Sequence, residues 1–181
     1  MAASLAASDR QLAETALRAC ANAYAPYSGF AVGAAVRTKG GKVYVGANLE
    51  NASYGMTMCA EVSAITAANA AGDYEIEAIA VAGYKFTTPT SHASICTPCG
   101  RCRQLILEAS QVSKKDILVL SCNGDLSKID ASEISKLLPM AFGPENLGLV
   151  GVWPQMRDAL GRETAALNGR ARMPQGTKAA E

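Results

Sequence analysis

The sequence carries no excess of charge of either sign: 17 Lys and Arg stand against 16 Asp and Glu, a net of +1. A polyanion-binding surface needs clustered cations that release counterions, so this balance argues against a nucleic-acid partner. No apolar run approaches the ~20 residues that a membrane-spanning helix requires, so no membrane partner is expected. The opening MAASLAASDR has neither a basic start nor a long apolar stretch, so no secretory signal is expected and the chain reads as cytoplasmic. Aromatic residues are scarce, at 6%, and the one histidine, His92, lies in a polar loop where it reads as solvated and not as a ligand. Disorder is excluded by composition, with 49% apolar and 18% charged residues. One ordinary domain with an appendage remains, and a chain of 181 residues buries ~70% of its unfolded surface without needing disulfide staples.

Ser8 and Gln11 have capping-box spacing, and Leu12, Ala13, Ala16, Leu17 and Cys20 follow at helical intervals, which predicts a helix over 9–23. Apolar runs at 30–38 and 42–47 flank Lys39-Gly40-Gly41 and read as a hairpin. The polar stretch 48–57 reads as a loop facing a site. Helix formers fill 59–71, with Gly72 placed as a C-terminal cap. Residues 76–84 and 116–122 are strand-length apolar runs, as in strands covered on both faces. Between them lie a turn-like stretch at 86–94 and a helix expected over 99–109. Asn123-Gly124 predicts a tight turn into a short strand at 125–129. Asp130 with Glu133 then predicts a cap for a short helix ending at Leu137-Leu138-Pro139. Helices alternating with buried strands give an α/β layered fold around about five strands. Beyond Trp153 the periodicity dissolves, and 161–181 reads as a mobile tail. Five cations against three acids over 157–181 are too mild an excess to attract nucleic acid.

Six cysteines remain: Cys20, Cys59, Cys96, Cys99, Cys102 and Cys122. In a reducing compartment a cluster of them points to metal or catalysis before disulfides. Cys59-Ala60-Glu61 and Pro98-Cys99-Gly100-Arg101-Cys102 each open a predicted helix, where unpaired N–H groups and the helix dipole favour a thiolate. Cys99 and Cys102 are three apart and face one point; with Cys59 they make three soft ligands suited to tetrahedral Zn²⁺ with one position open, the pattern of a catalytic zinc. Water at such a site has its pKa lowered towards ~7. Glu61, two residues past Cys59, stands where it can move protons without coordinating, which points to hydrolytic deamination of an amino-pyrimidine. Cys20, Cys96 and Cys122 read as small buried hydrophobes. A closed four-cysteine site that adds Cys96 is the competing arrangement, and it would leave Glu61 without a purpose.

Five motifs in order make the chain resemble the cytidine deaminase family, in its small homotetrameric, three-cysteine zinc branch. They are Tyr27-Ser28-x-Phe30-x-Val32-Gly33-Ala34-Ala35, Asn48-Leu49-Glu50-Asn51-Ala52-Ser53-Tyr54, Cys59-Ala60-Glu61, Pro98-Cys99-Gly100-Arg101-Cys102-Arg103-Gln104 and Leu137-Leu138-Pro139-x-Ala141-Phe142. The resemblance implies a three-layer α/β/α fold with a mixed sheet and a catalytic domain over 1–150; the extension over 151–181 departs from the family pattern and is expected to be mobile or to sit at a subunit interface. It also implies a Zn²⁺ cofactor, a nucleoside substrate and a homotetramer. Catalysis would fall to Glu61, with Cys59, Cys99 and Cys102 on zinc. Asn48 and Glu50 would read the ribose hydroxyls, Phe30 would wall the nucleoside, and Ala52, Tyr54 and Ala60 would line the substrate. Phe142 would reach over the base from a neighbouring subunit. Many members of this branch have Arg directly after the catalytic Glu, touching the zinc thiolates; here that residue is Val62. Three thiolates on Zn²⁺ leave a net negative charge that opposes ionising water, and Arg101 is the expected compensation.

The implied activity is deamination of cytidine and deoxycytidine in pyrimidine salvage. Two same-fold alternatives are a deaminase of a modified cytidine or of a nucleoside antibiotic such as blasticidin S, and a polynucleotide-editing deaminase. The latter should show a basic channel and stacking aromatics. A zinc-stabilised interaction module without catalysis is the alternative from another class.

Overall fold

The computed structural model describes residues 5–88 and 92–171. Up to Gly143 these form one compact unit, and from Pro144 a second, each considered by itself. In the first, helix α1 (Ala7–Ala19) leads through a 3-10 turn (Cys20–Asn22) into strands β1 (Phe30–Thr38) and β2 (Val43–Ala47). Helix α2 (Ala60–Ala70), strand β3 (Ile76–Lys85) and helix α3 (Gly100–Ser113) follow, then strands β4 (Leu118–Cys122) and β5 (Ile129–Glu133) and one turn of helix α4 (Ile134–Leu137). The sheet order is β2-β1-β3-β4-β5, antiparallel except where β3 runs parallel to β4.

Period-two alternation along the central strands decides the layering. Ala31, Ala35, Ala78, Ala80 and Ala82 face α1, whose Leu12, Ala13 and Ala16 complete that side of the core. The opposite face carries Val36, Ile79, Val81 and Val119 against Ala60, Ala64 and Ala68 of α2 and Ile106 and Leu107 of α3. Helices on both faces of a mixed sheet are the expected three layers. Small residues on the α1 side let that helix lie close. A Cβ on Gly33 would stand 2.1 Å from the Ala16 carbonyl oxygen and 2.6 Å from the Cys20 nitrogen. On the other face, a Cβ on Gly46 of β2 would meet Ala64 N at 2.4 Å and Ala60 O at 2.5 Å. The start of α2 therefore rests directly on the edge strand.

The hairpin appears where it was expected, and Gly72 ends α2 with a left-handed φ of 78°. Four local expectations are corrected. Ser8 does not cap α1: Ala6 holds that position without a side-chain bond, and the helix gives way to the 3-10 turn after Ala19. The fifth strand is 129–133 and not 125–129, because the buried Asn123 side chain donates to Asp125 and Ser127 and accepts the Lys128 N–H, drawing the turn out into a longer loop. Asp130 lies on β5 and caps nothing; Asp116, two residues before β4, accepts the Ser135 N–H at 3.2 Å and its hydroxyl at 2.6 Å. In the second unit, helix α5 (Val152–Ala171) occupies the stretch beyond Trp153 that showed no periodicity. Its Ala, Leu, Arg and Glu residues are strong helix formers that outweigh Gly161 and Gly169. The rest of the expected tail, 172–181, lies outside the described residues.

Candidate active site and metal centre

Cys59 and Cys99 occupy equivalent places: each is the N-cap residue of its helix, α2 and α3, with extended backbone and no side-chain cap bond. Each thiol therefore sits at the positive end of a helix dipole, where a thiolate is favoured. Cys102 lies in the first turn of α3 and is fully buried, as is Pro98 just before Cys99. The Cys59 and Cys99 sulfurs are 4.0 Å apart, those of Cys99 and Cys102 3.5 Å, and all three lie within 4.8 Å of one another. A tetrahedral ion with Zn–S bonds of about 2.3 Å holds its sulfurs ~3.8 Å apart, so donor type and spacing both fit zinc. Cys59 is pushed down to about 6, chiefly by a hydrogen bond from Cys102, with Cys99 and the Arg101 charge also contributing. Cys102 is pushed up correspondingly, as the proton donor of the pair.

Cys96 stands apart from this group. Its N–H donates to the Cys122 carbonyl, its sulfur packs over Gly83, and burial pushes the thiol up to about 12. The four-cysteine arrangement is thus excluded. Cys20 and Cys122 are buried, and burial raises their thiols to about 11 and about 12, as suits small core hydrophobes. His92 is no ligand either, but the expectation of a solvated ring is corrected. The ring is half-buried, set edge-on to Tyr84 at 5.3 Å, with Nδ1 buried.

Glu61 is the second residue of α2 and only 4% exposed. Burial raises its carboxyl pKa, with the Cys59 charge adding to the shift. A carboxyl poised to hold a proton therefore sits two residues from a metal ligand. Ala60, between them, is fully buried. Val62 is 8% exposed and brings no charge. Arg101 lies on the other side, its guanidinium donating to the Thr57 carbonyl at 3.4 Å and reaching Met58 Sδ at 3.9 Å, just before Cys59.

The loop 48–57 is tied back to β1. Asn48 accepts the Val32 N–H at 2.9 Å and donates to the Phe30 carbonyl at 3.0 Å. Glu50 accepts the Tyr27 and Ser28 N–H groups on one oxygen, at 2.9 and 3.2 Å, and a hydrogen bond from the Ser28 hydroxyl holds its pKa below the ordinary value. The same hydroxyl oxygen accepts the Phe30 N–H at 3.0 Å. Tyr54 meets Tyr27 edge to face at 6.1 Å, and Leu49 pairs with Met58, next to Cys59. Phe30, Asn48, Glu50 and Tyr54 thus form one connected group at the start of α2. Ala52 lies on the exposed part of the loop. Phe142 is 63% exposed, its carbonyl held by Gln104 of α3 at 2.9 Å. Ser28, Arg103 and Gln104 carried no role in the sequence reading. The signal for Ser28 was there: a serine two residues before a strand-opening aromatic is a side-chain-to-backbone turn.

The family model for the cytidine and deoxycytidylate deaminase zinc-binding region matches residues 6–119, which include all three clustered cysteines and Glu61. The cytidine deaminase of Halalkalibacterium halodurans is 43% identical over 141 residues, covering 77% of this chain and 98% of that protein. That of Mycobacterium tuberculosis is 38% identical over 132 residues, covering 73% and 87%. Among solved structures, the crystal structure of cytidine deaminase from Burkholderia pseudomallei is similar with a TM-score of 0.64 and 41% identity, over 74% of this chain and 98% of that one. The Mycobacterium tuberculosis enzyme gives a TM-score of 0.60 at 37% identity, over 74% and 96%.

Proposed function

The chain belongs to the cytidine deaminase family, and from that premise we propose how its own residues carry out zinc-dependent deamination. The overall change is cytidine plus water to uridine plus ammonia. Cys59, Cys99 and Cys102 hold the zinc, which when bound makes water acidic enough to attack at neutral pH. Glu61 takes the first water proton as oxygen bonds to C4 of the cytosine and passes it to N3. It then takes the remaining hydroxyl proton at C4 and delivers it to the amine, so that the C4–N bond breaks, ammonia leaves and the C4 carbonyl forms. Each transfer needs a group that both accepts and returns a proton, and a buried carboxyl with a raised pKa does so.

Glu50 and Asn48 bind the ribose hydroxyls, each with hydrogen-bonding capacity beyond its ties to the backbone. Deoxycytidine is the second substrate of this reading, and pyrimidine salvage the route served. Phe30 walls the nucleoside, Ala60 presents backbone to the pyrimidine, and Ala52 and Tyr54 close the loop. Phe142 covers the base of a neighbouring copy, so the working form is a homotetramer in the cytoplasm. The chemistry belongs to residues 1–150, with the extension 151–181 outside it. Arg101 supplies the positive charge that Val62 does not.

The observation that carries this reading is three sulfurs at metal-binding spacing beside one buried carboxyl. Its test is loss of cytidine absorbance with purified protein, with and without a zinc chelator, across a panel of cytosine nucleosides. Chelation should abolish turnover and added zinc restore it. Glu61→Gln should keep its zinc and lose ~10²–10⁴-fold in kcat. Full activity in that variant overturns the role of Glu61, and a non-catalytic zinc module would show no turnover in the parent protein.

A further inference from the structure

The first turn of α3 faces two ways. Cys99 and Cys102 supply two of the three sulfurs, while the next two residues reach towards a different stretch of chain. Arg103 donates through Nε to the Pro98 carbonyl at 2.9 Å and through Nη1 to the Leu137 carbonyl at 3.1 Å. One planar guanidinium therefore ties the residue before Cys99 to the last residue of α4. Gln104 Nε2 donates to the Phe142 carbonyl at 2.9 Å. Between these anchors the chain has no regular structure: Met140 takes a left-handed φ of 54° with its side chain fully exposed. A segment without its own ladder of hydrogen bonds takes its position from packing and side-chain anchors: Leu138 and Ala141 rest against the core, while Arg103 and Gln104 hold the backbone on either side.

We propose that Arg103 and Gln104 are positioning residues that fix Phe142 relative to the metal loop, with α3 as the rigid link. The proposal rests on the reading that Phe142 covers the base bound in a neighbouring copy. Under it, the loop that carries Cys99 in one copy sets the aromatic cover of the next. Arginine suits the task because its fork offers two donors in a fixed plane; a lysine ammonium is a single point charge on a flexible stem.

The test is a double-mutant cycle on the zinc-loaded full chain, with cytidine as substrate. Gln104→Ala is expected to raise KM ~3–10-fold with kcat little changed and zinc content unaltered. Gln104→Glu keeps the size but has no N–H to offer the carbonyl, and should behave the same way. In a Phe142→Ala background, itself raised in KM, Gln104→Ala should add nothing. Arg103→Ala should raise KM and also speed zinc loss to a chelator, and Arg103→Lys should rescue neither. Effects of Gln104→Ala and Phe142→Ala that multiply independently overturn the positioning role while leaving Phe142 at the base. A Phe142→Ala variant with unchanged KM overturns the placement of Phe142 and the positioning role together. Zinc release from Arg103→Ala at the parent rate overturns the link to the metal loop.

Discussion

The Ser28 hydroxyl serves two neighbours at once, donating to the Glu50 carboxylate and accepting from the Phe30 N–H. Hydrogen bonds to a carboxylate favour its charged form, so removing one raises its pKa. Ser28→Ala should therefore let Glu50 take up a proton at a higher pH than in the parent protein. Since the proposed role of Glu50 is to accept a ribose hydroxyl, the acid limb of kcat/KM should move to higher pH, while zinc content stays constant. A pH series on the two proteins checks this. Arg101→Ala removes the cation that sits beside Cys59, and should lower kcat/KM ~10-fold or more, a larger effect than on bound zinc measured in the same samples. Equal activity in that variant would show that Arg101 does not supply the charge absent at Val62. The Cys99–Cys102 pair was legible in the sequence because ligand spacing within a helical turn is local information, and Cys59 was added through its own helix-opening Cys-Ala-Glu motif. The packing of His92 on Tyr84 was not, since the partner ring lies on a strand and no local pattern announces it.

Among the secondary-structure elements, what could be read depended on where the stabilising partner lies. The hairpin, both buried strands and the end of α2 at Gly72 carry their own signals in periodicity and turn chemistry. The short helix α4 does not: it is held by Asp116, far away in sequence, so the acids immediately before it pointed to the wrong cap. The fifth strand was misplaced for a similar reason, as the buried Asn123 side chain lengthens the turn in a way its dipeptide cannot announce. Helix α5 went unrecognised because it has glycines inside and no clean apolar stripe. Close packing of α1 yields the sharpest expectation here. A methyl at Gly33 would strike backbone atoms of Ala16, Ala19 and Cys20, which have no rotamer to escape into. Gly33→Ala should cost ~3 kcal/mol or more, the upper end for overpacked sites, read from the urea midpoint at unchanged m.

For the molecule as a whole, large apolar side chains stand in the open. Tyr54 is 77% exposed, Met56 67% and Met140 fully so, alongside Phe142. Where such side chains adjoin one another they mark a surface that another chain covers. The proposed homotetramer accounts for them, and sedimentation should give a mass about four times the 18.8 kDa of the single chain. A monomer that is fully active would remove the basis for Phe142 acting in a neighbour. None of this was visible in composition, because an exposed and a buried phenylalanine are written with the same letter. Directed evolution of this pocket meets a further constraint at position 46, where α2 rests on the edge strand. Any larger residue there pries the helix away and carries Cys59 and Glu61 with it, so screens will score such variants as dead although no reacting group has changed. Libraries are best built with that codon left untouched.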